Sequence, residues 1–454
     1  MTQRTSNDSN RQAKSSNNGG KLTKLNQKDG KENIPKLRIA IFSHLHPAVS
    51  KGGAEIAAYQ MYKELKADPN ITAWFIAGDG GKVEPPLGSQ IFQPFEEDEY
   101  VCASSGYSHF QHASRSTEMP ENLELLLKQL RPDVVHFHHF ANFGLEFFLY
   151  VRRTLPQAKI IVTLHEFLAI CNHFGQMMKR PSLSLCHSAS PRDCARCFPE
   201  HSSNDFFMRE LFIRRFFLLA DAFISPSQFL AERYIAWGIP ADKMHIVENG
   251  SPFLPEQGAP PSDQKGIVFG FFGQISKLKG VNTLLEAATL LSKRRSIRNK
   301  LRIDIHGDAS NQPPALREGL DALLQEAGSI VTMRGAYDNL NVHSLMQECH
   351  AILVPSIWWE NSPLVIQEAF ANKRPVICSD IGGMAEKVRN GIDGFHFRAG
   401  SAHELANLIE ELTVNPERLY NAKLGIVSPP TIRETVIRVR EIYTMPTRNS
   451  LQTS

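Results

Sequence analysis

The stretch Glu360-Asn361-Ser362-Pro363-Leu364-Val365-Ile366-Gln367-Glu368 holds two carboxylates with seven residues between them. An apolar run over 351–356 precedes it, and a second apolar run over 375–379 follows it. Ser362 is a favourable helix N-cap, and Pro363 suits the first helical position. The pattern therefore predicts strand, loop, helix and strand, with Glu360 in the loop and Glu368 about one and a half turns into the helix.

The first turn of that helix is predicted to bind an anion, because its backbone N–H groups have no partner within the helix. One carboxylate before the turn and one after it suit a ligand with hydroxyl groups at both ends and phosphate between them. A nucleotide sugar has this composition.

The composition favours an intracellular enzyme with two domains. The chain has 454 residues, 42% of them hydrophobic, which is enough for two packed cores. Its 7 cysteines are few and odd in number, which argues against a secreted disulfide scaffold. We expect residues 1–35 to be a disordered basic tail, since they lack the apolar segment of a signal peptide or an anchor.

The net charge gives no indication of nucleic-acid binding. Seven Lys/Arg and three Asp/Glu in residues 1–35 contribute +4, so the formal net charge of +3 leaves the remainder near −1. We expect no nucleic-acid partner and a cytoplasmic location, with peripheral attachment to the inner face of the membrane as an open alternative.

Strand and helix patterns alternate from residue 37 onward, which predicts an α/β fold with parallel sheets and helices on both faces. A stretch rich in Pro, Gly and Gln at 252–265 interrupts the alternation and is predicted to be a linker. The alternation then restarts. We therefore predict two Rossmann-like domains facing a central cleft, over residues 36–250 and 251–425.

Candidate phosphate-binding groups follow the first strand of each half. Lys277 and Lys279 come after the glycine turn that ends the strand at 267–272, at the edge where ligands of such sheets bind. Gly52 and Gly53 follow the strand at 37–43 and permit close backbone approach. A solvated lysine pair and an ordinary loop-to-helix turn are the alternatives.

In these motifs the chain resembles the retaining, family-4-type (group 1) glycosyltransferases with the GT-B fold. The matching residues are Gly52-Gly53-Ala54-Glu55, Pro132 to His136, Thr163-Leu164-His165-Glu166, Asn249-Gly250, Lys279-Gly280, the pair Glu360 and Glu368, and Gly382-Gly383 with Glu386. They span nearly all of the chain except its ends.

The resemblance implies a role for each matching residue. Glu360 contacts hydroxyl groups of the donor sugar, Glu368 holds the nucleotide ribose, and Lys279 grips the diphosphate. His165 lies near the reacting face of the sugar, so His165, Glu360 and Lys279 are the predicted catalytic residues. The predicted donor-binding residues are Gly52, Gly53, Lys277, Lys279, Asn361, Ser362, Leu364 and Glu368.

One position departs from the family pattern. Gln274 stands where the family usually carries an arginine as the first member of the basic pair. Lys277 is the candidate for the second positive charge.

The resemblance further implies transfer from a UDP-sugar or a GDP-sugar, with retention of configuration, to a glycan, a lipid-linked or another acceptor, as in polysaccharide biosynthesis. No metal or cofactor is required, because lysines and helix N-termini stabilise the departing diphosphate. Residues 96–99, Glu-Glu-Asp-Glu, are interpreted as a solvated acidic loop. A helix within 426–446 is expected to return to the first domain, followed by a disordered tail at 447–454.

Histidines and cysteines near the strand ends leave alternatives open. His138 and His139 are candidates for the acceptor side of the cleft; with His136 they could also be structural or, less favoured, bind metal. The four cysteines Cys171, Cys186, Cys194 and Cys197 include a C-x-x-C pair and could hold a structural zinc, form a disulfide or remain free.

The segment 206–219 is aromatic and contains three arginines, so it is either a helix lying on an anionic membrane or a buried helix. The favoured function is an active glycosyltransferase. The alternatives are a catalytically inactive nucleotide-binding scaffold on the GT-B fold and, less favoured, a phosphorylase or sugar epimerase.

Overall fold

The computed structural model describes residues 36–50, 52–103, 106–114, 118–251, 266–297, 299–310 and 312–446. The predicted tails at 1–35 and 447–454 and the predicted linker at 252–265 lie outside these residues. The domain boundaries near 250 and 425 stay predictions.

The first half alternates strands and helices around one large sheet. Its strands are β1 (Leu37–Ser43), β2 (Ile71–Gly78), β3 (Ile91–Phe92), β4 (Glu99–Cys102), β5 (Tyr107–Ser108), β6 (Ala113–Ser114), β7 (Val134–Phe137), β8 (Lys159–Thr163), β9 (Ala222–Ser225) and β10 (Met244–Ile246). Its helices are α1 (Gly53–Lys66), α2 (Glu118–Leu130), α3 (Phe147–Thr154), α4 (Pro191–Cys197), α5 (Ser203–Phe217) and α6 (Gln228–Trp237). Strands β5 and β6 form a separate two-stranded antiparallel sheet.

The second half repeats the alternation. Its strands are β11 (Ile267–Phe272), β12 (Leu301–His306), β13 (Val331–Gly335), β14 (Ala351–Val354), β15 (Val376–Ser379) and β16 (Gly394–Phe397). Its helices are α7 (Val281–Ser292), α8 (Pro314–Ala327), α9 (Val342–Gln347), α10 (Leu364–Ala371), α11 (Gly382–Lys387), α12 (Ala402–Val414), α13 (Glu417–Gly425) and α14 (Ile432–Thr444).

Each half has its own doubly wound sheet. The first sheet runs β10-β9-β8-β7-β1-β2-β4-β3 and is parallel except for β3, and the second runs β13-β12-β11-β14-β15-β16, all parallel. Residues of β1 alternate between two cores: Ala40 and Phe42 join one, and Ile39 and Ile41 join the other. Apolar residues on both faces are what a sheet covered by helices on both sides requires.

Helix α14 packs against α1 of the first half. Arg440 of α14 forms an ion pair with Asp68, with an N–O distance of 2.7 Å, and the Thr435 hydroxyl donates to the carbonyl of Glu248. The last described helix is therefore tied to both the helix layer and the strand ends of the first sheet.

The acidic stretch at 96–99 differs from the prediction. Glu99 begins β4 and is 1% exposed. Its carboxylate lies 3.0 Å from His46 Nε2 and accepts a hydrogen bond from the Tyr59 hydroxyl, also at 3.0 Å. The interpretation of this residue as part of a solvated loop is wrong, because two partners distant in sequence satisfy the buried carboxylate.

Among the described residues, no helix combines the length and the apolar character that crossing a membrane requires.

Candidate functional site

The loop between β14 and α10, residues 355–363, holds Glu360 and is called the donor loop below. Glu360 is 6% exposed, and its Oε1 accepts three hydrogen bonds. The donors are Lys279 Nζ at 2.7 Å, Ser356 Oγ at 2.9 Å and Trp358 Nε1 at 2.9 Å. Three donors, one of them a cation, hold this buried carboxylate in one orientation.

Helix α10 starts slightly later than the sequence predicts. Pro363, with φ −66° and ψ 121°, occupies the cap position, and the helix begins at Leu364. Ser362 is therefore not the N-cap. Its Oγ and the Oδ1 of Asn361 are buried without a hydrogen-bond partner among the described residues. Buried polar atoms usually have a hydrogen-bond partner. The Ser362 hydroxyl and the Asn361 side-chain oxygen can therefore form hydrogen bonds with a ligand at this turn.

Glu368 lies in the second turn of α10. Burial raises the pKa of its carboxyl from 4.5 to about 7. Tyr337 lies in the loop after β13. Burial is the main cause that raises the pKa of the Tyr337 phenol, and the nearby charge of Glu368 is the second cause. Within the described part of the chain, no side-chain hydrogen bond reaches the Glu368 carboxylate. The carboxylate is thus poised to accept hydrogen bonds from another molecule.

The turn before α7 brings the predicted lysines to the donor loop. Gly280, with φ +74°, precedes α7, and a Cβ at this position would lie 1.8 Å from the carbonyl oxygen of Pro355. Only glycine combines this conformation with this approach. Lys279 thereby reaches Glu360, whereas Lys277 is exposed to solvent.

The start of α1 faces the start of α10. A Cβ on Gly53 would lie 3.7 Å from Leu364 Cδ1, so the first turns of these two helices lie next to each other. Gly52 is the N-cap of α1, and a Cβ there would lie 2.4 Å from Glu55 Oε2. The buried Glu55 carboxylate pairs with His44 Nε2 at 3.2 Å.

The predicted catalytic histidine lies just beyond β8. His165 Nε2 lies 3.2 Å from His138 Nδ1, and burial lowers the pKa of His165 to about 4. Its backbone carbonyl accepts a hydrogen bond from Asn361 Nδ2 at 2.9 Å. The first half and the donor loop therefore meet directly at His165.

The two histidines predicted for the acceptor side are buried. His138 is 2% exposed and His139 is 8% exposed. His139 Nε2 lies 2.8 Å from Glu166 Oε1. Although burial alone would raise the pKa of Glu166, its interactions with His139 lower it to about 2. This burial favours the structural alternative for both histidines, and their contact with an acceptor stays a prediction.

The cysteine cluster lies between β8 and α5 beside the donor loop. All four thiols are free, and the Cys186 carbonyl accepts a hydrogen bond from Trp359 Nε1 at 2.9 Å. Within the described ranges, no three or more His, Cys, Asp or Glu side chains are arranged as metal ligands. A structural zinc at this cluster stays a prediction.

The sequence analysis assigned no role to several residues that hold the site together. Trp358 and Trp359 directly precede Glu360; one binds its carboxylate, and the other contacts the first half. Glu386 accepts hydrogen bonds from the backbone N–H groups of Gln228 and Phe229, at the start of α6. The signal for the tryptophans was present, since two of the chain's 4 tryptophans are adjacent there.

Two family models match adjacent parts of the chain. The model described as Glycosyltransferase Family 4 matches residues 51–251, and the model described as Glycosyl transferases group 1 matches residues 255–423. Together they span both halves of the molecule.

Two curated relatives align with part or most of the chain. A lipopolysaccharide 1,2-N-acetylglucosaminetransferase from Salmonella typhimurium is 29% identical over 212 residues, covering 43% of this chain and 54% of that enzyme. A D-inositol 3-phosphate glycosyltransferase from Thermobispora bispora is 24% identical over 335 residues, covering 71% of this chain and 72% of that enzyme. The chain thus spans about half the length of the first relative.

Solved structures share the architecture. Anabaena Alr3699/HepE, solved with UDP and glucose, is 18% identical with a TM-score of 0.62, covering 90% of this chain and 100% of that chain. Sucrose-phosphate synthase from Thermosynechococcus elongatus is 17% identical with a TM-score of 0.64, covering 92% and 100%. The predicted GT-B fold is confirmed, and the chain belongs to the group 1 glycosyltransferases.

Proposed function

We propose that this protein transfers a sugar from a nucleoside diphosphate sugar to a hydroxyl group of a glycan or lipid-linked acceptor, with retention of configuration and without a metal ion. The observation that carries the proposal is the arrangement around α10. The Lys279–Glu360 pair precedes its first turn, and the partly buried Glu368 carboxylate, which accepts no hydrogen bond from a described side chain, follows it.

The diphosphate would lie at the meeting point of the α1 and α10 N-termini. Both helix ends present N–H groups and a partial positive charge. The Lys279 ammonium donates one hydrogen bond to Glu360 and keeps two further N–H groups for phosphate oxygens. Lys277, exposed at the same turn, is the proposed second cation.

The Glu368 carboxylate would accept hydrogen bonds from the ribose hydroxyls. Two charge-assisted hydrogen bonds would offset the cost of ionising a buried carboxyl. Glu360 uses Oε1 for its three protein donors, so its other oxygen suits a hydroxyl of the donor sugar. Asn361 and Ser362 would add polar contacts there.

Bond cleavage at the anomeric carbon moves negative charge onto the departing diphosphate. Preorganised lysines and helix N-termini stabilise this charge without reorganising, which lowers the barrier. UDP-sugars are the first donors to test, and GDP-sugars the second, because Alr3699/HepE was solved with UDP. A lipopolysaccharide-type acceptor is suggested by the name of the Salmonella relative.

The test is a calorimetric binding panel of UDP, GDP, ADP and TDP with EDTA present, followed by turnover of the matching nucleotide sugars. One nucleotide should bind tightly, and Glu368→Ala should weaken it by on the order of 2–4 kcal/mol. Unchanged affinity in this variant would disprove the ribose assignment. Binding without any turnover would favour the inactive scaffold.

A second surface supports contact with a membrane. Phe207, Leu211 and Leu218 are 50%, 49% and 65% exposed along and just after α5, with the exposed Arg215 between them. Exposed apolar side chains beside a cation suit an anionic bilayer surface. We propose that this face attaches the protein peripherally to such a membrane.

Sedimentation with phosphatidylglycerol and phosphatidylcholine vesicles tests the attachment. We expect binding to the anionic vesicles only, and its loss in Leu211→Asp. Leu424→Asp is the matched control, since Leu424 is 68% exposed on the other half. Equal binding of both variants would refute a role for the α5 face.

A further inference from the structure

A column of buried histidines connects α14 with His165. The two ring nitrogens of His136 lie 2.6 Å from the Tyr443 hydroxyl and 2.7 Å from Thr163 Oγ1. Its ring centroid lies 4.5 Å from that of His138, whose Nδ1 lies 3.2 Å from His165 Nε2. Within the described part of the chain, no carboxylate hydrogen-bonds to His136, His138 or His165.

Burial keeps these imidazoles neutral. It lowers the pKa of His136 to about 3 and that of His165 to about 4, and the pKa of His138 lies well below 6.5 for the same reason. A neutral imidazole carries one N–H and one bare nitrogen, so the partners of each ring decide which nitrogen holds the proton.

One contact decides the tautomer of His138. Its Nε2 lies 3.3 Å from Met61 Sδ in the buried interior of the first half. A thioether can only accept a hydrogen bond, so the contact between His138 Nε2 and the Met61 sulfur is a hydrogen bond only if Nε2 carries the proton. The other donor near this sulfur is the Tyr443 hydroxyl, 4.0 Å away. A bare Nε2 would be a buried acceptor without a donor. The corresponding penalty disfavours that tautomer roughly ten- to hundredfold.

The proton positions then follow along the column. With its proton on Nε2, His138 has a bare Nδ1, which accepts a hydrogen bond from His165 Nε2. We propose that Met61 and His138 are positioning residues that hold His165 with its proton on Nε2 and its Nδ1 bare. His165 Nδ1 then accepts a hydrogen bond from a substrate hydroxyl.

This inference rests on the proposed function, and it narrows the role of His165. A neutral acceptor nitrogen binds a sugar or acceptor hydroxyl and cannot neutralise a phosphate. Stabilisation of the departing diphosphate is therefore left to Lys279 and the helix N-termini. No other side-chain hydrogen bond among the described residues uses His165 Nδ1, which leaves it available for this contact.

Nitrogen-15 NMR of the full chain with labelled histidine tests the tautomer directly. Two-bond nitrogen–proton correlations distinguish protonated from bare ring nitrogens, and His165→Gln assigns the signal. We expect a proton on Nε2 of His165 in the wild type and a mixture of tautomers in Met61→Leu, a volume-conserving change. A wild-type proton on Nδ1, or an unchanged tautomer in Met61→Leu, would overturn the inference.

Kinetics supply the second readout. Met61→Leu should lower kcat by about three- to tenfold with an unchanged KM for the donor, whereas Met177→Leu, at another buried methionine, should not. His138→Asn keeps an acceptor oxygen near the Nδ1 position and should retain more activity than His138→Leu. Equal loss in these two variants would contradict the positioning role.

The two proposals can fail separately. A wild-type protein that binds no nucleotide sugar would refute the proposed function, while the NMR measurement would still report the tautomer of His165. Conversely, an active enzyme with the proton on His165 Nδ1 would refute only the inference.

Discussion

The two sides of the cleft use opposite electrostatics. On the second half, Lys279 and Glu360 form an ion pair 2.7 Å apart, and Glu368 is a carboxyl of raised pKa. On the first half, His138 is buried and His165 is partly buried, and burial keeps both imidazoles neutral. The second half thus presents an ammonium and carboxyl groups, whereas the first half presents the uncharged His165 beside carboxylates that already pair with His44 and His139. The difference matches a ligand that is a phosphate at one end and a sugar at the other.

The largest expected effect comes from removing the charge on the second half. Lys279→Met should lower kcat by about 10²–10³-fold, because the departing diphosphate loses a preorganised cation. It also leaves Glu360 without its cation, so the melting temperature should fall as well. Steady-state kinetics and thermal melts check both effects.

Lys277→Met is the matched control for that change. Lys277 is exposed two positions earlier and does not contact Glu360, so we expect a smaller loss of kcat and no loss of stability. If Lys279→Met keeps more than a tenth of wild-type kcat, the second half does not act through this charge.

Glu368→Gln should lower the affinity for nucleotide and raise the free energy of unfolding. Since its pKa is about 7 instead of 4.5, the folded protein binds more protons than the unfolded chain between these values. Stability therefore falls as pH rises through this window, and the penalty remains above it. At pH 8 the variant should be up to about 3 kcal/mol more stable than the wild type, while binding nucleotide less tightly.

The same variants should converge at low pH. Near pH 5 the wild-type carboxyl is protonated, so the difference in unfolding free energy should largely vanish and wild-type affinity for UDP should drop. Denaturant titrations at pH 5 and pH 8 measure this. A wild type that is more stable than Glu368→Gln at pH 8 would show that a protein group already satisfies the carboxylate.

Removing a contact between the two halves should affect activity less than changing the charges of Lys279 and Glu368. Glu386 accepts hydrogen bonds from the backbone N–H groups of Gln228 and Phe229 at distances of 2.9 Å and 2.7 Å, which links α11 to the start of α6. Glu386→Gln should weaken this link by about 1 kcal/mol and raise the donor KM several-fold. Glu286→Gln, at an exposed position of α7, is the control and should leave KM unchanged.

Sequence patterns predicted the features that depend on neighbouring residues. The predictions failed where contacts between residues distant in sequence determine the structure. Strand and helix periodicity predicted both sheets, and the glycine turn after the strand at 267–272 indicated Lys277 and Lys279 as candidate phosphate-binding residues. Glu99 was misjudged because its partners, His46 and Tyr59, lie 53 and 40 residues away. No local sequence pattern indicates a contact between residues so far apart in the chain.

The start of α10 and the histidine column show the same limit. Ser362 and Pro363 satisfy the rules for a helix start, yet the helix begins at Leu364. There Asn361 is held by the carbonyl of His165, 196 residues away. His136 contacts the hydroxyl of Tyr443 in α14, which lies 307 residues later in the chain. Its structural role therefore depends on a helix whose return to the first half was expected only from the family resemblance.

The smallest effect tests whether the donor approaches the first half at all. A Cβ at Gly53 would lie 3.7 Å from Leu364 Cδ1, an ordinary contact distance, and alanine favours a helix start at least as well as glycine. Gly53→Ala should therefore change the free energy of unfolding by no more than about 0.5 kcal/mol. If phosphate packs against the start of α1, the added methyl group should still weaken nucleotide-sugar binding a few-fold. Unchanged affinity, measured by calorimetry beside wild type, would mean that the charged half binds the diphosphate alone.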